Sequence, residues 1–375
     1  MDLNCPHYDK CSGCNQEKNL EHLNIFDEAH QFFIENGLKE FKLSFGAIHN
    51  WRCRAKLAVQ GSFEAPLIGL FEEGSHRVVD IPFCRVHHPL INAVVERLRR
   101  WITENRIVPY EEKSGAGVLR YIQLTVDRVL QKVQIALVLN VDSFEALSEE
   151  GKRCIELLWN DNLEYCHSLW LNFNRRRDNV IFDFSWFHYV GERFVHERRA
   201  CFHPASFMQA NPEMFQQLTD RMGQMLPKNL DLLELYAGVG AIGLALVDHC
   251  RSVHCVEIVP EAKECFEVSC KALPLDLQER LSFESGDAGA QIGLLKSFSG
   301  TIVVDPPRKG LEPALLKALC GLLPAERLVY VSCGWKSFQR ECKALLHSGW
   351  TLSFAEGFLF FPGSEHLEIL AIFLR

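Results

Sequence analysis

From residue 231 to the end of the chain, short apolar runs alternate with amphipathic stretches. That alternation constrains the fold more than any single motif. Strand-like runs fall near 231–236, 253–257, 281–285, 301–304, 327–332, 351–359 and 367–374, with helical patterns in the gaps. A chain that returns to its sheet after each helix lays the strands largely parallel and covers both faces. The last two runs stand too close together for a crossover and predict an antiparallel hairpin. The expectation for residues 201–375 is therefore an α/β domain built on a seven-stranded sheet.

The preceding segment has a different rhythm. Leu20 to Asn36 has helical spacing and stops at Gly37. Residues 51–60, 66–71 and 78–81 read as strands, and Pro89 to Glu104 as a helix with Val94, Val95, Leu98 and Trp101 on one side. Residues 118–126 and 129–139 form a strand pair, Ser143 to Trp159 a helix, and 168–173 and 180–184 further strands. This predicts a smaller α+β central domain over residues 21–200, behind a cysteine-rich segment over residues 1–20. The boundary between the two large domains falls near 195–205.

With 47% hydrophobic and 23% charged residues, the composition is that of an ordinary globular protein. The first residues lack the basic and apolar regions of a secretory signal, and no apolar run approaches a membrane span. The expectation is a cytoplasmic protein without a membrane partner. A formal net charge of −8 argues against a generally basic nucleic-acid coat and gives no reason to expect DNA. RNA contacts would have to come from local clusters. Arg52, Arg54, Lys56, Arg97, Arg99, Arg100, Arg120 and Arg175-Arg176-Arg177 are candidates. Several stand near Trp51, Trp101, Tyr121 or Phe173, a mixture suited to phosphates and unstacked bases.

Fifteen cysteines are many for a reducing compartment, where clustered thiols point to metal or catalysis. Cys5, Cys11 and Cys14 lie within ten residues, near enough to converge on one soft centre. A fourth ligand is needed. Cys84, in a turn-like setting, is the candidate and Cys53 the rival. Spacing alone leaves structural zinc and an iron–sulfur cluster both open.

Gly238-x-Gly240-x-x-Gly243 follows a strand and opens a helix, and Glu257 ends the next strand. This pattern suits a nicotinamide dinucleotide, with Glu257 on the ribose. It also suits S-adenosylmethionine, which the closing hairpin favours, as does Glu234, whose charge would complement a sulfonium. Asp305-Pro306-Pro307 closes one strand at the sheet edge where ligands of α/β folds bind. Cys333 closes the next, just before a helix whose start would favour thiolate. His366 and Glu368 alternate along the last strand and so share a face. Glu368 precedes an apolar run, an environment that turns a carboxylate into a base.

As an ordered set, these motifs resemble the RNA uracil-C5 methyltransferases that form 5-methyluridine. The resemblance spans the cysteine cluster, Phe207-Met208-Gln209-Ala210-Asn211-Pro212, Leu233-Glu234-Leu235-Tyr236, Asp305-Pro306-Pro307-Arg308-Lys309-Gly310, Ser332-Cys333 and His366-Leu367-Glu368. It implies a Rossmann-like class I S-adenosylmethionine-dependent methyltransferase domain. Cys333 would be the nucleophile and Glu368 the base, with Gln209, Tyr236, Glu257 and Asp305 lining the S-adenosylmethionine site. Cys5, Cys11, Cys14 and Cys84 would hold a [4Fe-4S] cluster, as in the ribosomal RNA members. The transfer RNA enzyme of the family lacks that cluster. The implied substrate is therefore a flipped uridine in a 23S ribosomal RNA loop, with transfer RNA as the alternative. Because the cluster begins at Cys5, the amino-terminal RNA-binding barrel of some members is expected to be absent. Ala241 stands where some relatives have a polar cofactor contact, and Ala237-Gly238-Val239 replaces the commoner Cys-Gly turn.

Overall fold

The computed structural model describes residues 1–375. The chain divides into two compact units that interleave along the sequence. One comprises Met1–Leu20, Ala47–Glu197 and Met208–Asn211; the other comprises Glu21–Gly46, Arg198–Phe207 and Pro212–Arg375. The expected division into 21–200 and 201–375 differs from this partition chiefly at Glu21–Gly46, which belongs with the carboxyl-terminal unit. No helix is long and apolar enough to cross a membrane.

The first unit is a seven-stranded sheet in the order Val78–Asp80, Pro66–Phe71, Arg54–Gly61, Leu119–Asp127, Lys132–Leu139, Cys166–Phe173, Trp186–Gly191. The Pro89–Glu104 helix carries Ile91, Val94, Val95, Leu98, Trp101 and Ile102 on one buried stripe. Proline in its first turn and the His88 side chain, accepting from Leu90 N–H at 3.3 Å, fix its start. The second helix runs Glu149–Asn160, shorter than the expected 143–159 span, because Ser148 Oγ caps it by accepting from Gly151 N–H at 3.1 Å. Both helices share one hydrophobic core with the sheet, and Trp101 Nε1 donates to Cys154 O at 2.8 Å to tie them together. The strand expected at 180–184 lies instead at Trp186–Gly191. Buried Asn172 and Asn174 claim the backbone groups of the preceding segment: Asn172 Nδ2 donates to Asp183 O and Ser185 O, Asn174 Nδ2 to Val180 O and Ile181 O.

In the second unit all seven expected strands form, in the order Thr351–Leu359, Glu368–Leu374, Arg327–Ser332, Thr301–Val304, Leu230–Leu235, Cys250–Glu257, Leu281–Ser285. The last strand runs antiparallel to both neighbours, as the hairpin reading requires. An eighth strand, Lys42–Phe45, adds parallel to Thr351–Leu359 at the outer edge. It is fixed by Ser44 Oγ donating to Glu356 Oε1 at 2.7 Å, while Arg221 Nε donates to Glu356 Oε2 at 2.8 Å. Pairing the buried Glu356 in this way offsets its desolvation. The Asn24–Glu35 helix precedes that strand and packs on the Trp335–His347 helix. Phe32 meets the Trp335 ring edge-on at 5.3 Å, and Glu28 Oε1 accepts from Trp335 Nε1 at 2.8 Å.

Candidate active site and cysteine centre

Register places the candidate residues of the second unit on one edge. Leu235 pairs with both Val256 and Val304, and Val304 with Tyr330, so these strands end level with one another. Tyr236, Glu257, Asp305 and Cys333 therefore all emerge at the carboxyl edge of the sheet.

The turn after Leu235 is left-handed at Tyr236 (φ 59°) and Gly238 (φ 53°). At Gly238 a Cβ would meet nothing within 4 Å, so the backbone borders open space. At Gly243 a Cβ would lie 2.7 Å from Val253 and 2.8 Å from the Glu234 carboxylate, so only glycine lets the helix seat on its strand. Glu257 Oε2 accepts from Gly238 N–H at 2.9 Å, and its Oε1 from Ile258 N–H and Val259 N–H at 2.9 and 3.0 Å. The acidic strand end thus shapes the turn and stays beside the open space, where ribose hydroxyls can reach it. Tyr236 O–H donates to Glu312 Oε2. This cradle fits an adenosine-containing ligand.

Glu234 does not face that space. It is 1% exposed and accepts from Gly243 N–H at 2.8 Å and from Cys255 S–H at 3.4 Å. Burial pushes its carboxyl up to about 8. The expected complementarity to a sulfonium is corrected: Glu234 caps the helix start from beneath, where its carboxyl oxygen satisfies the orphan Gly243 N–H.

Beside the cradle lies a tight group of ionisable side chains. Burial pushes Asp305 up to about 7. Cys333 is half-buried and donates to Pro306 O at 3.7 Å. Burial, then the negative neighbours Glu368 and Asp305, push its thiol up to about 12, with Arg308 opposing. Glu368 opens the last strand, is 4% exposed, and is pushed up to about 8 by burial and then by Asp305, again against Arg308. Ser332 pairs with Ile369 on antiparallel strands, so Cys333 and Glu368 are the next residues on the same side of that rung. The expected shared face for His366 and Glu368 does not form. The strand starts at Glu368, leaving His366 exposed in the connection while Glu368 is buried.

A buried carboxylate absent from the sequence reading braces this edge. Glu341 is fully buried on the Trp335–His347 helix. It accepts from Tyr330 O–H at 2.6 Å, Leu311 N–H at 3.1 Å and Arg340 Nη2 at 2.6 Å. Ser337 Oγ donates to Arg308 O at 2.9 Å. Leaving either of the buried donors Tyr330 or Leu311 unpaired costs about 1–3 kcal/mol, so the Pro306–Leu311 loop is held firmly against the helix that follows Cys333. The sequence did carry a signal: Glu341 interrupts the apolar stripe of Phe338, Cys342 and Leu345. Gln209 belongs to the first unit with Met208–Asn211, and the other three expected cofactor residues belong to the second.

In the first unit, Cys5, Cys11, Cys14 and Cys84 line one cavity of about 110 Å³, walled by Leu3, Leu57, Leu70 and Ile81 with Arg52 at its side. Cys53 is 3% exposed in the hydrophobic core and does not line it. Burial and then the other three thiols push Cys14 up to about 12, with Arg52 opposing. Gly13 N–H donates to Cys11 Sγ at 3.4 Å, and backbone N–H groups of His87 and Val86 favour a Cys84 thiolate against its burial. The four sulfurs share a space but are not drawn in to the spacing of a single ion. Sulfur donors with backbone N–H support suit a soft, anionic metal–sulfur group.

The basic residues read as an RNA surface separate on folding. Arg54 and Arg120 are buried, as are Trp51, Trp101 and Phe173. Arg97 lies over the Tyr165 ring at 3.9 Å, and Arg99 Nη2 pairs with Asp80 at 2.6 Å. Lys56 and Arg175–Arg177 remain exposed.

Residues 174–375 match the family model described as tRNA (uracil-5-)-methyltransferase. An RNA methyltransferase of Protochlamydia amoebophila, itself described as uncharacterized, is 38% identical over 100% of this chain and 98% of its own length. Another, from Halalkalibacterium halodurans, is 27% identical over 98% of this chain and 82% of its own. Among solved structures, the Pyrococcus abyssi tRNA (uracil-54, C5)-methyltransferase in complex with S-adenosyl-L-homocysteine superposes with a TM-score of 0.75. It is 24% identical and covers 97% of this chain and 86% of its own. That likeness reports a common fold.

Proposed function

Because the chain belongs to the tRNA (uracil-5-)-methyltransferase family and is an S-adenosylmethionine-dependent RNA (uracil-C5)-methyltransferase, we propose that it methylates C5 of a uridine in 23S ribosomal RNA, with Cys333 as nucleophile and Glu368 as base. The observation that carries the mechanism is the rung between Ser332 and Ile369, which sets Cys333 and the buried Glu368 beside each other. The choice of ribosomal over transfer RNA rests on the four-cysteine set. Family membership sets the nicotinamide reading of the glycine turn aside.

The uracil C5 is too poor a nucleophile to react unaided. The Cys333 thiolate adds to C6, and the displaced electron pair enriches C5. S-adenosylmethionine, when bound, supplies an electrophilic methyl group to that carbon. Glu368 then removes the C5 proton, the C5–C6 double bond re-forms, and the Cys333–C6 bond breaks. Attack on the ring face requires the base to leave its stack, so a loop uridine is the fitting substrate. Tyr236, Glu257 and Asp305 are the proposed cofactor contacts. Incubation with S-adenosylmethionine and either unmodified 23S RNA or transfer RNA, followed by mass mapping of nuclease fragments, tests this. We expect 5-methyluridine in 23S RNA. A methyl group only in transfer RNA keeps the mechanism and overturns the substrate.

Cys5, Cys11, Cys14 and Cys84 are the proposed ligands of a [4Fe-4S] cluster with a structural role, since they lie in the unit that lacks Cys333 and Glu368. Protein purified without oxygen should contain iron and acid-labile sulfide. Cys84→Ala should lose both, while Cys53→Ala should keep them. Iron retained in the Cys84 variant, or one zinc per chain by metal analysis, would overturn this assignment.

A further inference from the structure

The connection between the Cys166–Phe173 and Trp186–Gly191 strands is twelve residues long, far longer than an ordinary hairpin loop. Yet it is fastened from within. Asn172 and Asn174 are fully buried. Beyond the four bonds their amides donate to the loop, Asn172 Oδ1 accepts from Asp183 N–H at 3.0 Å and Asn174 Oδ1 from Arg176 N–H at 2.9 Å. Six bonds from two satisfied amides hold this segment in one shape before anything binds, which removes much of the ordering cost of binding.

That shape displays what folding alone would hide. Phe184 is 89% exposed. A ring left in water on a rigid support is informative in a way that a scattered surface leucine is not. Beside it in sequence, Phe182 and Trp186 pair at 5.0 Å, and Lys56 Nζ lies over the Phe182 ring at 4.8 Å. Arg175, Arg176 and Arg177 form the exposed opening of the same loop. Aromatic rings and guanidinium groups carried on one loop match the two parts of an unpaired nucleotide, its base and its phosphate.

We propose that this loop is a second RNA-recognition element, in which Phe184 stacks an unpaired base of the RNA substrate and Arg177 contacts its backbone. The inference rests on the RNA methyltransferase reading, because the occupant is RNA. It goes beyond that reading in naming a stacking surface carried wholly by the first unit.

The test uses the full chain and two RNAs of equal length, a hairpin with a single-stranded loop and an uninterrupted duplex. Binding is measured by fluorescence anisotropy over a salt series, together with steady-state methyl transfer. Phe184→Ala should weaken hairpin binding roughly 5- to 100-fold, leave duplex binding unchanged, and raise KM with kcat preserved. Phe184→Trp should restore binding. Arg177→Ala should weaken both RNAs and lower the salt slope by about one. Thermal melting of the Phe184 variants should match the wild type, since the ring packs on little. Unchanged hairpin affinity in Phe184→Ala, or equal losses on hairpin and duplex, overturns the proposal. If the wild type methylates no RNA while Phe184→Ala still weakens hairpin binding and spares duplex binding, the methylation reading falls and the stacking surface stands.

Discussion

In Cys333→Ala, methyl transfer falls to background while S-adenosylmethionine binds as in the wild type. The loss should be comparable to the roughly 10⁶-fold cost of removing other covalent nucleophiles, because without addition at C6 nothing raises the electron density at C5. The cofactor cradle should survive: its turn is held by Glu257 and Glu234, and none of those bonds involves Cys333. In the free protein the Cys333 thiol sits at about 12, held there by burial and by Glu368 and Asp305. The reactive thiolate therefore has to be generated as the uridine enters and the surroundings change. Calorimetry for the cofactor and labelled-methyl incorporation into RNA read the two halves separately. Turnover near the wild-type level in Cys333→Ala would exclude a covalent route.

Glu368→Gln should fail later and differently. Addition and methylation proceed, but the C5 proton stays and the Cys333–C6 bond cannot break. One methyl group per protein molecule is expected in a single burst. Turnover then falls by about 10²–10⁴, and a covalent RNA–protein species persists on a denaturing gel. Absence of that species would remove Glu368 from the role of base. Proton transfer also sets the pH dependence. With its carboxyl raised to about 8 by burial and Asp305, Glu368 is mostly protonated at lower pH and becomes a competent base only as pH rises through that value. Wild-type turnover should therefore climb across that window. The burst in Glu368→Gln should lack this inflection, because its amide does not titrate.

How far the fold could be read depended on whether a signal was local. The seven strands of the second unit announce themselves by apolar runs and turn residues, and each forms where expected. Lys42–Phe45 does not: a four-residue strand acquires meaning only from a partner far along the chain. The shift from 180–184 to Trp186–Gly191 has a different cause. Both stretches carry strand-like residues, and two buried asparagines took the backbone bonds of the first for a loop. Glu234 was misread because its partner, the Gly243 N–H, exists only once the helix has turned back over its strand. Spacing could not separate Cys53 from Cys84. Folding places them differently, with Cys53 in the core and Cys84 at the shared cavity. Glu341 was legible in retrospect as a charge on an oily helix face, but its three donors come from two elements and its own helix.

The Lys42–Phe45 strand also has a consequence in time. Ser44 meets Glu356 across 312 residues. At about 5–20 residues per second, a ribosome needs roughly 15–60 s to make that partner. For this interval Phe32 and Phe33 of the Asn24–Glu35 helix lack two of the rings that cover them in the finished fold, since Trp335 and Phe338 are not yet made. Ala47–Glu197 and Met208–Asn211 of the first unit are synthesised in between. The nascent chain must therefore carry an unfinished sheet edge past a complete intervening fold, and closing that edge is among the last events of its birth.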